Sequence, residues 1–203
     1  MKIFCVGRNY VEHAKEMKNE VPKEPVIFLK PKTALILPHA PFYYPEFTNE
    51  LHYEAELVLR VCKNGKYIQE NHAHNYYNAV TVGIDFTARD LQREYMSKGL
   101  PWEKAKAFDN SALVGKWIEY LPGIFKNALD FSLTLNGETV QQGSSSDMIF
   151  NFNRIIADIS QYFGLNIGDL IFTGTPAGVG EVVVGDVLEG FLGDRKVFEV
   201  EVK

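Results

Sequence analysis

The chain has 203 residues, with 21 Lys and Arg against 26 Asp and Glu, for a net charge of -5. That balance argues against a duplex DNA or RNA binder, which displays a basic face, but leaves room for a local basic pocket and a small anionic substrate. At 46% hydrophobic and 23% charged residues the composition is globular rather than disordered, and a chain of this length can bury roughly 70% of its extended surface.

Ile3 to Val6 is a short apolar run ending at Gly7, and reads as a buried strand. Asn9 is placed to cap a helix from Tyr10 to Met17. Lys18 to Pro25 is charged and proline-punctuated, a mobile surface loop. Val26 to Leu29 is a second strand, stopped by Lys30-Pro31. Pro38, Pro41 and Pro45 make the next segment, which includes His39, irregular. Leu51 to Cys62 reads as one long strand, and Asn64-Gly65 is a hairpin signal leading to Lys66-Tyr67-Ile68. A short helix over Ala73 to Asn78 precedes a strand from Ala79 to Phe86, and Thr87 caps a helix to Lys98. Leu129 to Leu135, Asn136-Gly137 and Glu138 to Gln141 form a second hairpin. Phe152 to Phe163 has helical apolar spacing, with Gly164 at its end. Strands follow at Leu170 to Phe172, Val182 to Val184, Val187 to Phe191 and Val197 to Val202.

No linker separates two compositions, and regular βαβ alternation is missing. The expectation is one α+β domain over residues 1–203, β-dominant, with a helix and mobile lid over about 10–25. Cys5 and Cys62 are too few for a disulfide framework and lack metal-binding spacing, as in a reducing compartment. The apolar run at the N-terminus is too short for a signal peptide, and no window nears the roughly 20 apolar residues of a membrane span. The protein is expected to be cytoplasmic, without nucleic-acid or membrane partners.

Glu54 and Glu56 sit two apart in a strand pattern, so their carboxylates share a face. Such a pair is either solvated on a strand edge or drawn together around a cation. Asp85 ends an apolar run in which an unpaired carboxylate is costly. It either pairs with Arg89 or joins the glutamates in an all-oxygen site suited to Mg²⁺ or Mn²⁺. His13 and Glu16, three apart on a helix, are neighbours, either as a surface pair or as a base and its orienting carboxylate. His72 and His74 fall on different faces, and His52 flanks the glutamates. Thr173-Gly174-Thr175-Pro176-Ala177-Gly178-Val179-Gly180 lacks the lysine of a phosphate-binding loop and the third glycine of a dinucleotide fingerprint. It reads as a turn, or as a loop approaching a small anion.

The series Cys5-Val6-Gly7-Arg8-Asn9-Tyr10, Phe28-Leu29-Lys30-Pro31, Glu54-Ala55-Glu56-Leu57, Asp85-Phe86-Thr87-Ala88-Arg89-Asp90, Gly99-Leu100-Pro101-Trp102, Ala105-Lys106-Ala107-Phe108 and the 173–180 loop resembles the fumarylacetoacetate hydrolase superfamily. The likeness runs from Ile3 to about Val202 and is nearest the single-domain acylpyruvate hydrolase branch. It implies a mixed β-sandwich roll, a homodimer, and divalent metal at Glu54, Glu56 and Asp85. It further implies a His13–Glu16 dyad on a lid, with Lys106 near the reacting carbonyl. Arg89 and Gln92 match substrate-facing positions, Thr175 a carboxylate contact, and Arg8, Asn9 and Lys30 positions near the pocket.

The expected activity is Mg²⁺-dependent hydrolysis of a C–C bond in a 3-acylpyruvate such as acetylpyruvate or fumarylpyruvate. Oxaloacetate decarboxylation and isomerisation or tautomerisation of a hydroxymuconate-type dicarboxylate are the alternatives. A non-enzymatic binding module leaves the acids and the dyad unexplained.

Overall fold

The computed structural model describes residues 1–16, 20–37, 40–120 and 128–203. Among these, the strands form three sheets. The largest runs in the order Val26–Lys30, Ile3–Gly7, Leu170–Phe172, Ala55–Val61, Tyr77–Asp85 and Ala112–Val114, with Ile118–Glu119 also on Tyr77–Asp85. The second orders Glu138–Ser144, Asp130–Leu135, Val187–Leu192 and Arg195–Glu201, all antiparallel. The third joins Gly180–Glu181, Leu51–Tyr53 and Thr87–Ala88. The fold is β-dominant, with helices at Val11–Glu16, Arg89–Lys98, Glu103–Lys106 and Phe152–Tyr162.

Ala55–Val61 is buried at every position but Arg60 because both of its faces are covered. Leu57, Leu59 and Val61 enter a large core shared with Leu133, Leu188 and Val200 of the second sheet and with Ile155 and Ile159 of helix Phe152–Tyr162. Val58, on the opposite face, packs in a smaller cluster with Ile3, Cys5 and Phe172. Fully burying each such side chain contributes about 2 kcal/mol.

Several local expectations give way to long-range contacts. Leu51 to Cys62 is two strands in different sheets, broken at Glu54. The Ala55 N–H donates to Gln141 Oε1 at 2.9 Å. Asn64-Gly65 does not close a hairpin: Gly65 bridges Leu165, and Glu70–Asn75 is a 3-10 helix where a helix over Ala73 to Asn78 was expected. Asn9 does not cap the first helix, since its Oδ1 accepts from the Phe150 N–H at 2.7 Å. Met17, Lys18, Asn19, Pro38 and His39 lie outside the described residues, so the expected helix end, part of the expected lid and the histidine fall there. Gly164 is not the helix terminus: Phe163 ends it with φ -121°, its ring 5.4 Å from that of Phe4. Val182 to Val184 is not a strand; Gly180–Glu181 is. Asn136-Gly137 turns as expected, with φ 53° and 86°, the left-handed pair a tight hairpin requires. Cys5 and Cys62 are unpaired thiols.

Helix Arg89–Lys98 starts without a side-chain cap from Ala88, and Thr87 sits in a strand rather than capping it. Asp90 serves the first turn instead. Its carboxylate accepts from Thr48 Oγ1 at 2.5 Å, the Asn49 N–H at 3.0 Å and the Leu91 N–H at 2.8 Å. Burial opposes its charge, but these hydrogen bonds outweigh burial and hold its pKa below the usual carboxylate value. Asp90→Asn is expected to cost about 1 kcal/mol at neutral pH. The folded pKa lies below the unfolded one, so this contribution is present above the unfolded value and disappears as pH falls through the folded value. Urea unfolding of both proteins at neutral and acidic pH should show the difference shrinking in acid; a gap that persists would contradict the assignment.

Candidate metal centre and cleft

Strand pairing assembles the acidic cluster. Ala55 lies opposite Ile84, and Glu56 opposite Gly83, in the antiparallel register of Ala55–Val61 with Tyr77–Asp85. One step further sets Asp85 against Glu54, and the Asp85 N–H donates to the Glu54 carbonyl at 2.9 Å. Two-residue periodicity then puts Glu56 on the same face. One carboxylate oxygen from each of Glu54, Glu56 and Asp85 lies within 4.8 Å of the others, and all three residues are buried.

Three buried bases face these acids. Lys106, on the short helix Glu103–Lys106, donates through Nζ to Glu54 Oε2 at 2.7 Å, Asp85 Oδ2 at 2.9 Å and Thr87 Oγ1 at 2.6 Å. Arg89 Nη2 donates to Glu54 Oε1 at 2.5 Å, and its Nη1 donates to Gln92 Oε1 at 2.5 Å. Lys30 Nζ lies 2.7 Å from Asp85 Oδ1 and donates to the Ser111 carbonyl and hydroxyl and the Lys106 carbonyl. His52 Nδ1 accepts from Arg89 Nε at 3.3 Å, so the histidine beside the glutamates helps hold the guanidinium.

The three acids respond differently. Burial disfavours the Glu54 carboxylate, but Lys106 and Arg89 overcome that and hold its pKa well below the usual value. Burial, together with the nearby Asp85 and Glu54, pushes Glu56 well up. Burial likewise opposes the Lys106 charge, and Asp85 with Glu54 more than restores it, raising its pKa.

A divalent cation fits this donor set. Its oxygens are hard ligands at converging positions, suited to Mg²⁺ or Mn²⁺. Asp85 Oδ1 is buried and accepts no hydrogen bond, its Lys30 contact being an ion pair by distance alone. Glu56 is repelled by its neighbours, so a cation would relieve both. Among the described residues, Glu54, Glu56 and Asp85 are the ones that could hold it.

The cluster floors a cleft of about 480 Å³, counted out to its open mouth. Arg8, His13, Arg89, Gln92, Lys106 and Thr175 reach this cleft with the three acids, as do Phe28, Met96 and Trp102. Arg8 has φ 61°, a left-handed backbone that non-glycine residues hold at a cost and that collects at functional sites. His13 is 7% exposed, and its Nδ1 lies 3.0 Å from Glu16 Oε2. Glu16 does not line the cleft; its Oε1 accepts from the Gly178 N–H at 3.1 Å, tying the helix Val11–Glu16 to the glycine-rich loop. That loop also reaches the acids, since the Gly174 N–H donates to Glu56 Oε2 at 2.7 Å. Gly174 has φ 101°, and a Cβ there would lie 2.6 Å from that of Asn9, so glycine is required.

Asn9 and Lys30 stand outside the cleft lining. Both Asn9 Nδ2 hydrogens are taken, by the Phe150 and Thr173 carbonyls at 3.0 and 2.7 Å, so this side chain clamps backbone and has no donor to spare. Lys30 backs Asp85 from behind. Sequence reasoning missed Gln141, which contacts both Ala55 and the glycine-rich loop, and missed Thr87 and Ser111 as partners of the two lysines. Only the low exposure of Gln141 in an otherwise polar strand marks it, and that is not legible without the fold.

Residues 2–203 match the family described as "Fumarylacetoacetate (FAA) hydrolase C-terminal". The chain is 43% identical over 189 residues to the Mus musculus protein named oxaloacetate tautomerase FAHD1, mitochondrial, covering 92% of this chain and 85% of that one. It is 41% identical over 189 residues to oxaloacetate tautomerase YcgM of Escherichia coli, covering 92% and 86%. Among solved structures, fumarylpyruvate hydrolase from Pseudomonas aeruginosa in complex with Mn²⁺ and pyruvate superposes with a TM-score of 0.90 at 36% identity, covering 100% of this chain and 89% of that chain. Among the described residues, no helix is long and apolar enough to cross a membrane.

Proposed function

Since the chain belongs to the fumarylacetoacetate hydrolase C-terminal family, we propose that it is a divalent-metal-dependent keto–enol tautomerase of a small 2-oxo dicarboxylic acid of the oxaloacetate type. The observation that carries this reading is the charge balance of the acidic cluster and the buried bases in contact with it. Glu54, Glu56 and Asp85 are matched by Lys30, Lys106 and Arg89, all buried. A bound dication leaves two positive charges in excess among these buried groups, with Arg8 adding another at the cleft wall, and a dicarboxylate dianion offsets charge in a place where unpaired charge is costly. The two tautomerase relatives support the same choice.

Bound at the three acids, a divalent cation supplies Lewis-acid polarisation of a 2-oxo group and a template for its carboxylate. His13 is the proton carrier. Its Nδ1 is engaged by Glu16, so Nε2 takes the proton from substrate carbon 3 in the keto-to-enol direction while the 2-oxo oxygen takes one from water, and both transfers reverse toward the keto form. Glu16, fixed by the Gly178 amide, keeps the ring oriented and in that tautomer. The Lys106 ammonium faces charge developing on the 2-oxo oxygen. Thr175 hydrogen-bonds the 1-carboxylate, and Arg8 pairs with the distal one.

C–C hydrolysis of an acylpyruvate, first in the sequence reading, uses the same polar floor with water as the group His13 deprotonates, and the likeness to a fumarylpyruvate hydrolase favours it as the second reading. The test is the ultraviolet decay of enol-oxaloacetate with Mg²⁺ and with EDTA, with pyruvate release from oxaloacetate and acetylpyruvate followed in parallel. Mg²⁺-dependent acceleration of enol decay without pyruvate is the expected result. Pyruvate from acetylpyruvate would move the assignment to the hydrolase, and pyruvate from oxaloacetate to the decarboxylase. No metal-dependent change with either substrate would sink all three.

A further inference from the structure

Thr175 is 3% exposed and lines the cleft, and its use as a donor depends on where its hydroxyl proton points. We infer that Gln141 sets that direction and is thereby a positioning residue for substrate carboxylate binding. This rests on the proposed function for the presence of a 2-oxo acid carboxylate at Thr175.

Gln141 is 2% exposed on strand Glu138–Ser144, and its carboxamide is fully committed. Oε1 accepts from the Ala55 N–H at 2.9 Å, while Nε2 donates to Thr175 Oγ1 at 2.9 Å and to the Pro176 carbonyl at 3.0 Å. The two backbone partners fix which end is which. A flipped amide would turn its N–H₂ toward the Ala55 N–H and its oxygen toward the Pro176 carbonyl, losing both bonds. The group facing Thr175 is therefore an N–H, and Thr175 Oγ1 accepts.

A hydroxyl that accepts in one direction keeps its own proton for an acceptor elsewhere. Among the described residues, the other acceptor near Thr175 Oγ1 is the Pro176 carbonyl, at 3.5 Å the outer limit of a hydrogen bond and contacted more closely by Gln141. The proton is thus left for an anion in the cleft. The loop bearing Thr175 is seated on the Gln141 strand: a Cβ at Gly178 would lie 2.5 Å from the Val140 carbonyl oxygen and 3.4 Å from Gln141 Cγ, at φ 96°. Gln141 also holds Ala55, the residue between Glu54 and Glu56. One side chain from the second sheet therefore sets both the joint bearing the acids and the polarity of the carboxylate donor.

The decisive variant is Gln141→Glu, measured at mildly alkaline pH. The carboxylate still accepts from Ala55, but it also accepts from Thr175, which reverses the hydroxyl. Calorimetric titration of oxalate into the Mg²⁺-loaded protein reads the effect without turnover, with melting curves confirming that each variant is folded. Gln141→Glu and Thr175→Val are each expected to weaken oxalate about tenfold, and the double variant no more than either single one, because both remove the same donor. In turnover, KM rises and kcat changes little. Gln141→Met, of similar length but unable to donate, is expected to weaken oxalate about threefold and replaces the glutamate variant if that one does not fold. Multiplicative effects, about a hundredfold in the double variant, would point to charge repulsion reaching the anion independently of Thr175 and would overturn the inference. So would oxalate binding as tight as in the wild type in the folded Gln141 variants. Failure of the Mg²⁺-loaded wild type to bind oxalate would instead overturn the proposed function, and this inference with it.

Discussion

His13→Gln is expected to lower turnover about a thousandfold, within the range for losing a general base, while Mg²⁺ affinity stays within about threefold. The expectation follows from position: the imidazole lines the cleft and pairs with Glu16 at 3.0 Å, whereas the three acids able to hold the cation lie on the large sheet and its joint. Glu16→Gln keeps the shape and weakens the orientation, so its loss is smaller, about ten- to a hundredfold. The double variant should be no slower than His13→Gln alone, since groups acting as a unit are not additive. Stopped-flow enol decay gives the rates and calorimetry the Mg²⁺ affinity. Undiminished turnover in His13→Gln would remove the histidine from the mechanism.

The second large effect carries opposite signs in two measurements. Glu56→Gln is expected to abolish Mg²⁺ binding and activity, yet to raise the melting temperature of the metal-free protein. Burial and the charges of Asp85 and Glu54 all disfavour the Glu56 carboxylate, and its folded pKa is pushed well up. A glutamine can still accept from the Gly174 N–H and adds donors toward Asp85. A group whose folded pKa lies above its unfolded one stabilises the protein below the unfolded value, and that stability is lost as pH rises through the folded value. The metal-free wild type therefore softens with rising pH, and the advantage of Glu56→Gln widens to about 1 kcal/mol or more, a few degrees in a chain this long. Mg²⁺ at a hundred times its dissociation constant stabilises the wild type by about 2.7 kcal/mol and the variant not at all. Differential scanning fluorimetry across pH, with Mg²⁺ and with EDTA, tests both signs; a variant that melts lower without metal would refute the repulsion argument.

What the sequence revealed about the site, and what it hid, divides along the range of the interactions. Alternation, being local, put Glu54 and Glu56 on one face but left Asp85 with two possible partners; the resemblance pointed to the cluster, and the strand register brings the three acids together. The Asn136-Gly137 turn was legible because its two left-handed residues meet its need within the turn itself. Asn64-Gly65 carries the same dipeptide and misleads, because Gly65 exchanges both backbone hydrogen bonds with Leu165, a hundred residues away. The break at Glu54 was invisible because the partner of the Ala55 N–H beside it, Gln141, comes from another sheet. Thr87 resembled a helix cap, but its hydroxyl is engaged by Lys106. Asn9 resembled one too, and clamps Phe150 and Thr173 instead. In each case a polar side chain with ordinary local chemistry was claimed by a distant partner.

The internal cations bear on what becomes of the fold when the ion is removed. Many small metal-binding domains hold their ligands apart until the ion arrives, and are unfolded without it. Here the Lys106 ammonium bridges Glu54 and Asp85, and Lys30 backs the second of these. The fold thus supplies counterions of its own for two of the three acids. On the proposed reading, stripping the ion with a chelator is therefore expected to leave the far-ultraviolet circular dichroism unchanged, and returning the ion to restore activity.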